Sequence, residues 1–182
     1  LGIPYAIVIT LSSALAGYAF ARFPMPISNR LFRVVVALLI VPEMVVLIPT
    51  FIVFAQLKLT NTYWPWVLGA IAGSPFYIFL FRQFFINFPK ELEDAAEVDG
   101  CGPLRIFVQI FLPNSTAVIA TVMFFAFNSI WASYLVPLIY LSDSQQLMGV
   151  VMATEFKNPR GITLTTLSMA GTVIYILPPV IA

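Results

Sequence analysis

The acidic residues of this chain are concentrated in one short stretch between long apolar segments. Five of its eight carboxylates fall within nine residues, at Glu91, Glu93, Asp94, Glu97 and Asp99. The flanking segments, 59–81 and 106–142, contain no charged residue. An apolar stretch of about 20 residues crosses the hydrocarbon core of a bilayer as a helix, and charged side chains are costly inside that core. The sequence therefore predicts a polar loop outside the membrane, between membrane-spanning helices.

The composition of the chain also places it in a bilayer. Of its 182 residues, 60% are hydrophobic and 9% are charged, and the formal net charge is +1. Such a small charge supplies no basic surface, so we expect no nucleic-acid partner. Histidine is absent and a single cysteine is present, which removes the side chain that most often serves as general base and metal ligand. We therefore predict no catalytic residue and no metal site.

Five apolar segments qualify as membrane spans by their length and lack of charge. They cover 1–21, 34–57, 59–81, 116–140 and 161–182. The second contains Glu43, and the adjacent Pro42 is expected to kink or unwind its helix. Pro113 divides the uncharged stretch 106–142 into an interfacial helix and the fourth span. The predicted fold class is all-α, a polytopic membrane helix bundle forming a single domain, with a loop at 89–113.

Basic residues orient these spans, because loops on the cytoplasmic side carry more lysine and arginine than loops on the other side. Six basic residues lie in the loops after the first and third spans, and three lie on the opposite side. They are Arg22, Arg30, Arg33, Arg82, Lys90 and Arg105, against Lys58, Lys157 and Arg160. We expect loop 89–113 to be cytoplasmic and loop 141–160 to be external, where a soluble partner can reach it. Arg82 is expected to snorkel or to meet the loop acids.

The loop sequence predicts two helices joined by a sharp bend. Pro89 suits the first helical position, and the acids after it complement the positive end of a helix over 90–98. Gly100 can adopt the positive φ that ends a helix, and Pro103 can start the next one. The expected apolar faces are Leu92, Ala95 and Ala96 in the first helix, and Leu104, Phe107, Val108, Phe111 and Leu112 in the second.

Seven positions of the loop resemble the EAA signature of ABC-importer permease subunits. That signature is Glu-Ala-Ala, three residues, Gly, nine residues and Ile-x-Leu-Pro, and the chain has Asp94-Ala95-Ala96, Gly100 and Ile110-Phe111-Leu112-Pro113 at the same spacing. Asp94 replaces the usual Glu, and Cys101 stands where a small residue such as Ala is common. The resemblance implies that a partner ATPase couples to the loop. The implied coupling residues are Leu92, Asp94, Ala95, Ala96, Asp99, Gly100, Ile110 and Pro113.

Residues 17–23, 81–85 and 89–92 resemble the carbohydrate branch of these permeases, which includes the maltose permease subunits. The resemblance implies ATP-driven import of a sugar or oligosaccharide across the cytoplasmic membrane by alternating access. It also implies as partners a second permease subunit, two ATP-binding subunits and an extracytoplasmic solute-binding protein. The chain has no Gly-x-x-x-x-Gly-Lys-Ser/Thr motif for binding phosphates. It is therefore expected to hold no cofactor itself, with ATP bound and hydrolysed by the partner subunit.

Relatives of this kind have a further helix at the start and a short cytoplasmic tail at the end. This sequence begins at Leu1 within one apolar segment and stops at Ala182 within another. We therefore expect it to be a piece of a longer protein.

Polar residues inside the apolar segments are the candidates for a substrate pathway. Glu43 should face protein or water because a charge in lipid is costly, and it either lines the pathway or makes a packing contact. Asn128, Trp131, Ser133 and Tyr134 suit stacking against a sugar and hydrogen bonding to it. Ser129 belongs to the same polar mixture, and polar contacts between helices explain Asn128 and Ser129 equally well. The carbohydrate permeases often carry Asn-Glu where this chain has Ala132-Ser133.

Other functions remain open at this point. The same machine can carry an amino acid, a polyamine or another small solute. A secondary transporter or channel driven by a gradient would need paired acids or a basic relay within the membrane, and Glu43 alone is weak support for one. An enzyme is disfavoured because no nucleophile and base pair or metal-ligand cluster is visible.

Overall fold

The structure is a computed structural model that describes residues 1–23, 25–142, 149–151 and 165–181. Every regular element within those ranges is helical, which confirms the all-α fold class. The elements are α1 (Gly2–Arg22), α2 (Pro26–Leu38), α3 (Glu43–Gln56), α4 (Trp64–Ala72), α5 (Pro75–Ile86), α6 (Lys90–Val98), α7 (Pro103–Ile106), a π-helical turn (Phe107–Phe111), a 3-10 turn (Pro113–Ser115), α8 (Thr116–Trp131), α9 (Leu135–Tyr140) and α10 (Thr165–Ile181).

In the described part of the chain, three helical segments are long and apolar enough to cross a membrane. They are Gly2–Arg22, Trp64–Ile86 and Pro113–Trp131. The first confirms the span predicted at 1–21. The second combines α4 and α5, and it starts and ends later than the predicted 59–81, because the backbone turns through Asn61 at a φ of 59° before α4 begins.

The segment predicted as a span over 34–57 is broken at the predicted place, and its first helix starts earlier than predicted. Helix α2 starts at Pro26, α3 starts at Glu43, and the two helices are bent by 105° relative to each other. Pro42 lies at the break with an extended backbone, at φ −63° and ψ 132°. Because proline has no N–H to continue the helical hydrogen bonds, the helix unwinds where the sequence placed the kink, and the two helices pass the length and hydropathy test for a span only when taken together.

The fourth span ends earlier than predicted. Helix α8 stops at Trp131, and α9 forms a separate short helix, so 116–140 is not one continuous helix. Of the predicted fifth span, the structure describes α10, a shorter apolar helix. Residues 143–148 and 152–160 of the predicted external loop lie outside the described residues.

The predicted external loops meet at one end of the bundle. The Asn61 N–H donates to the Tyr140 carbonyl at 2.7 Å, and the Ser142 hydroxyl donates to the Asn61 Oδ1 atom at 2.7 Å. The loop after α3 and the segment after α9 are therefore neighbours, as expected for two loops on one side of a membrane.

Helix α1 is the centre of the bundle and packs against α4, α5 and α8. The closest approach is at Gly17, where a Cβ atom would lie 2.6 Å from the Phe81 Cβ atom. Phe81 and Phe85 are completely buried on the facing side of α5. A small residue at position 17 therefore sets the distance between α1 and α5.

Arg82 lies inside α5, and its side chain contacts residues of α1 and α2. Its Nε atom donates to the Phe20 carbonyl at 3.3 Å, and its guanidinium carbon lies 3.9 Å from the centre of the Phe32 ring. The guanidinium therefore joins α1, α2 and α5 through a hydrogen bond and a cation–π contact. Within the described part of the chain Arg82 does not make the expected contact with the loop acids, because these nearer partners hold it.

Candidate functional site

The loop helix α6 has the bounds that the sequence predicts. It runs from Lys90 to Val98, with Glu91 and Glu93 in its first turn. Pro89 is the residue just before the helix rather than its first helical residue, with φ −56° and ψ 127°. Its fixed φ still directs the chain into the helix, and the acids still lie at the positive end of the helix dipole.

Gly100 ends α6 in the predicted conformation. Its φ is +77°, its N–H donates to the Glu97 carbonyl at 3.0 Å, and the Cys101 N–H donates to the Ala96 carbonyl at 2.9 Å. These two bonds form a Schellman motif, which satisfies the last carbonyls of the helix. The sharp bend after α6 is thus built from backbone geometry that glycine adopts readily.

The second loop helix is less regular than predicted. After α7 the chain makes a π-helical turn, closed by a bond from the Leu112 N–H to the Phe107 carbonyl at 2.9 Å. The wider turn changes which side chains face inward. Of the predicted apolar face, Phe107 and Phe111 are buried and Leu112 is half-buried, whereas Leu104 and Val108 are exposed. Ile106, which the sequence pattern missed, is buried instead.

Helix α6 turns one face to the bundle and the other to its surroundings. Ala96 is 6% exposed and packs in the bundle core, and the predicted coupling residue Ile110 also packs against that core. The remaining predicted coupling residues are exposed: Leu92, Asp94, Ala95, Asp99, Gly100 and Pro113. Val98 is 88% exposed and lies on the outward face, although its apolar character gave no reason to expect this.

The inward face of α6 carries an ion pair that the sequence did not reveal. The Nε atom of Arg22, at the end of α1, lies 3.2 Å from the Glu93 Oε2 atom, with side chains 6% and 15% exposed. This contact is an ion pair by distance and lacks hydrogen-bond geometry at Nε. The Arg22 Nη2 atom donates to the Phe88 carbonyl at 2.8 Å, and the guanidinium carbon lies 5.0 Å from the centre of the Phe111 ring.

Aromatic rings surround this ion pair and form the inner-end cluster, which comprises Tyr18, Phe85, Phe88, Phe107 and Phe111. Ring centroids are 4.8 Å apart for Tyr18 and Phe111, and 4.6 Å apart for Phe88 and Phe111. The Tyr18 hydroxyl donates to the Pro103 carbonyl at 3.3 Å. Residues from α1, α5, α7 and the π-helical turn therefore pack together beside α6.

A cleft of about 550 Å³ lies at the other end of α1. Tyr5 lines it, and Tyr5 and Arg22 are 17 positions apart in α1, which corresponds to about 25 Å. The polar and aromatic residues of its lining are Tyr5, Glu43, Trp66, Ser129, Ser133 and Tyr134. Among the described residues around the cleft, Glu43 is the charged one.

The structure brings together three of the five residues predicted for a substrate pathway. Glu43, Ser133 and Tyr134 line the cleft. Asn128 is turned away, since its Nδ2 atom donates to the Phe124 carbonyl of its own helix at 2.9 Å. Trp131 is also absent from the lining, and its Nε1 atom donates to the Tyr175 carbonyl at 3.0 Å.

Two other residues of the lining, Tyr5 and Trp66, were not predicted from the sequence to lie on a substrate pathway. Both lie in apolar segments predicted as spans, and nothing in the sequence next to either residue marks it as part of a pathway. Ser129, for which a sugar contact and a polar contact between helices were equally good explanations, also lines the cleft. Only the packing of α1, α3, α4 and α8 shows that these side chains share a cavity.

The molecule is an apolar helix bundle with an acidic helix and a sharp bend at one end and a cleft at the other. This is the architecture of a membrane permease subunit. The chain belongs to the family described as binding-protein-dependent transport system inner membrane component, whose model matches residues 8–182. It is thus a multi-pass protein of the inner membrane, related to the permeases of ABC transporters.

Known proteins of this family resemble the chain over most of its length. It is 32% identical to the arabinooligosaccharides transport system permease protein AraQ of Halalkalibacterium halodurans, over 100% of this chain and 64% of that protein. It is 38% identical to the lactose transport system permease protein LacG of Rhizobium radiobacter, over 92% of this chain and 61% of that protein. The chain therefore spans less than two thirds of the length of these relatives.

The fold is also found in a solved structure. A crystal structure of a bacterial ABC transporter involved in the import of the acidic polysaccharide alginate contains a chain that matches with a TM-score of 0.77 and 18% identity. The match covers 99% of this chain and 71% of that chain. The arrangement of helices is therefore shared between the two proteins.

Proposed function

We propose that this chain is the permease subunit of an ATP-driven importer that moves a neutral sugar or oligosaccharide inward by alternating access. The relatives named for arabinooligosaccharides and lactose support the substrate class. The cleft adds chemical support, because tyrosine, tryptophan and serine side chains offer stacking surfaces and hydroxyl groups to a sugar. Glu43 would repel an acidic substrate, which favours a neutral one.

The observation that carries the proposal is the outward face of α6. Leu92 is 47% exposed and Val98 is 88% exposed, beside the carboxylates of Asp94 and Asp99. Apolar side chains on a rigid helix next to charges form a surface that a protein partner can cover. We assign this surface, with Ala95 and Gly100, to contact with an ATP-binding subunit, while Ala96, Ile110 and Pro113 position the loop.

In the proposed cycle, the ATP-binding subunits close around ATP and displace α6. The attached helices then shift between inward-open and outward-open states, which is a two-state equilibrium biased by a ligand. A second permease subunit completes the pathway, and a solute-binding protein delivers the sugar from outside. This chain binds no nucleotide in that scheme.

Cross-linking of the full-length subunit tests the energy source. The natural cysteine is first replaced by Cys101→Ser, and a cysteine is then introduced by Glu97→Cys on the exposed side of α6. We expect an ATP-hydrolysing protein to purify with the subunit and to cross-link to this position. The matched control is Lys58→Cys at the opposite end, which should give no such product. A cross-link from position 58 alone, or the lack of any ATPase, would contradict the proposal.

Transport assays test the substrate class. The assembled transporter is placed in vesicles containing ATP, and uptake of labelled neutral oligosaccharides is compared with that of amino acids and polyamines. We expect saturable sugar uptake that requires ATP and persists when ionophores collapse the ion gradients. Uptake that follows the gradient instead of ATP would favour a secondary transporter, and uptake of the nitrogenous solutes alone would change the cargo.

A further inference from the structure

The ion pair between Arg22 and Glu93 joins two elements that the proposed transport cycle must connect. Arg22 is the last residue of α1, the central helix of the bundle. Glu93 lies in the first turn of α6, the helix proposed to contact the ATPase. Both side chains are largely buried. Removing two charges from water is costly, and a well-packed apolar pair at the same place is often as stable or more stable. Stability alone therefore does not account for charges here.

The contacts of Arg22 reach both sides of α6. One nitrogen donates to the Phe88 carbonyl, which precedes α6, and another lies beside Glu93 within it. The guanidinium also faces the Phe111 ring, in the π-helical turn that follows. A single side chain of α1 thus holds the segment before α6, the helix itself and the segment after it.

We propose that Arg22 and Glu93 form a latch that makes α6 and the inner end of α1 move as one body. The inference rests on the proposed function, in which an ATPase displaces α6. Bonds along the chain connect α6 to α5 on one side and to α7 on the other, but α1 is far away in sequence. The latch gives the displacement a direct route into α1, whose other end carries Tyr5 at the cleft. Arg22 and Glu93 are positioning residues and touch no substrate.

The test compares loss of the charges with loss of the packing in the full-length, assembled transporter. The single variants Arg22→Met and Glu93→Met leave one buried charge unpaired and should reduce the amount of folded subunit. The double variant R22M/E93M removes both charges and keeps side chains of similar length, so it should fold and bind the ATPase like the wild type. Glu93→Gln preserves the shape of the side chain but also leaves the Arg22 charge unpaired, so it is compared per amount of folded subunit. Exposed Glu91→Met is the matched control on the same helix.

We expect the ratio of solute taken up to ATP hydrolysed to fall about tenfold in both R22M/E93M and Glu93→Gln, a typical size for coupling between sites. Glu91→Met should keep the wild-type ratio. If the pair had only a structural role, the double variant should have the wild-type ratio of solute taken up to ATP hydrolysed, because apolar packing replaces the ion pair.

A distance measurement provides a second readout that does not depend on the substrate. Spin labels are attached through Glu97→Cys on α6 and Met25→Cys just beyond α1, in the Cys101→Ser background. We expect their separation to stay constant when ATP is added to the protein with Arg22 and Glu93 in place, and to change in R22M/E93M.

The latch is overturned if the double variant keeps either the wild-type ratio or a fixed separation of the labels. A wild-type transporter that shows no ATP-driven uptake contradicts the proposed function itself. Normal wild-type uptake with an unaffected double variant contradicts the latch alone.

Discussion

The two ends of α1 are built in different ways. At the inner end, Tyr18 and Phe111 pack with centroids 4.8 Å apart, and Arg22 is enclosed between α6 and the aromatic rings. At the other end, Tyr5 borders a cleft of about 550 Å³ beside Glu43. One helix therefore has a tightly packed end and an end that faces open space.

This difference matches the two tasks of a transporter subunit. Close-packed side chains transmit a displacement because they cannot be compressed, whereas a cavity can change shape when the helices around it move. The bend lies just before α3 and the break lies just after α4, and both of these helices line the cleft. We therefore expect substitutions at the inner end to affect folding and coupling, and substitutions at the cleft to affect substrate preference.

The largest expected effect is a loss of stability in Gly17→Ala, which widens the contact between α1 and α5. The added Cβ would lie 2.6 Å from the Phe81 Cβ atom, so the two helices must separate. Overpacking of this kind costs about 1–3 kcal/mol. The measurement is the thermal unfolding of the purified subunit in detergent.

The matched control for this substitution is Gly69→Ala in α4, which makes the same change within a helix. A Cβ atom at position 69 meets nothing within 4 Å. We expect this variant to unfold like the wild type or at a slightly higher temperature, because alanine favours the helix. Equal behaviour of the two variants would show that the α1 and α5 contact is not tight.

The second-largest expected effect is a loss of transport activity in Gly100→Val, without a loss of folding. Gly100→Val places a β-branched residue at a φ of +77°, which costs about 1–2 kcal/mol and distorts the end of α6. We expect the subunit to reach the membrane, with uptake reduced by a factor of about ten as α6 loses its orientation. Uptake is measured per amount of subunit in the membrane.

Gly102→Val is the control for this loop, because position 102 has an ordinary extended backbone with φ −75° and ψ 163°. Both glycines have open space where a Cβ atom would be. The two variants therefore differ in backbone strain and not in crowding. Normal uptake by Gly100→Val would refute the role of α6 in coupling.

The features that the sequence predicted well are local ones. The bounds of α6 and the positive φ of Gly100 follow from residues within one or two helical turns, and the 1–21 span follows from composition alone. The Pro42 kink was located for the same reason, but its 105° angle depends on how α3 packs against α4 and α9 through Trp66 and Tyr140.

The features that the sequence missed depend on contacts between distant segments. Arg22 and Glu93 are both common surface residue types, and nothing near either one indicates that they are paired and buried. Asn128 and Ser133 looked equivalent as polar residues in an apolar span, yet the end of α8 at Trp131 separates them. Which side of a helix faces a cavity is decided by the neighbouring helices.

At the cleft, Glu43→Gln should change which solutes are accepted. In water, a carboxylate about 4 Å from a negatively charged substrate repels it by about 1 kcal/mol. This repulsion corresponds to a roughly fivefold weaker affinity. We expect the uptake of an acidic sugar relative to a neutral one to rise by about this factor. Glu91→Gln on α6 is the control, and an unchanged ratio in Glu43→Gln would show that substrates do not approach this carboxylate.

The smallest expected effect is on the affinity for the solute, and it distinguishes Ser133 from Asn128, which were both pathway candidates from the sequence. Ser133 lines the cleft, so Ser133→Ala should remove about one hydrogen bond to a sugar, worth about 1 kcal/mol, and lower the affinity several-fold. The Asn128 amide is already bonded to the Phe124 carbonyl of its own helix, so Asn128→Ala should leave the apparent affinity for the solute unchanged. Both are measured from the concentration dependence of uptake. A larger loss in Asn128→Ala than in Ser133→Ala would mean that the substrate path runs along the other face of α8, and that the cleft is not part of it.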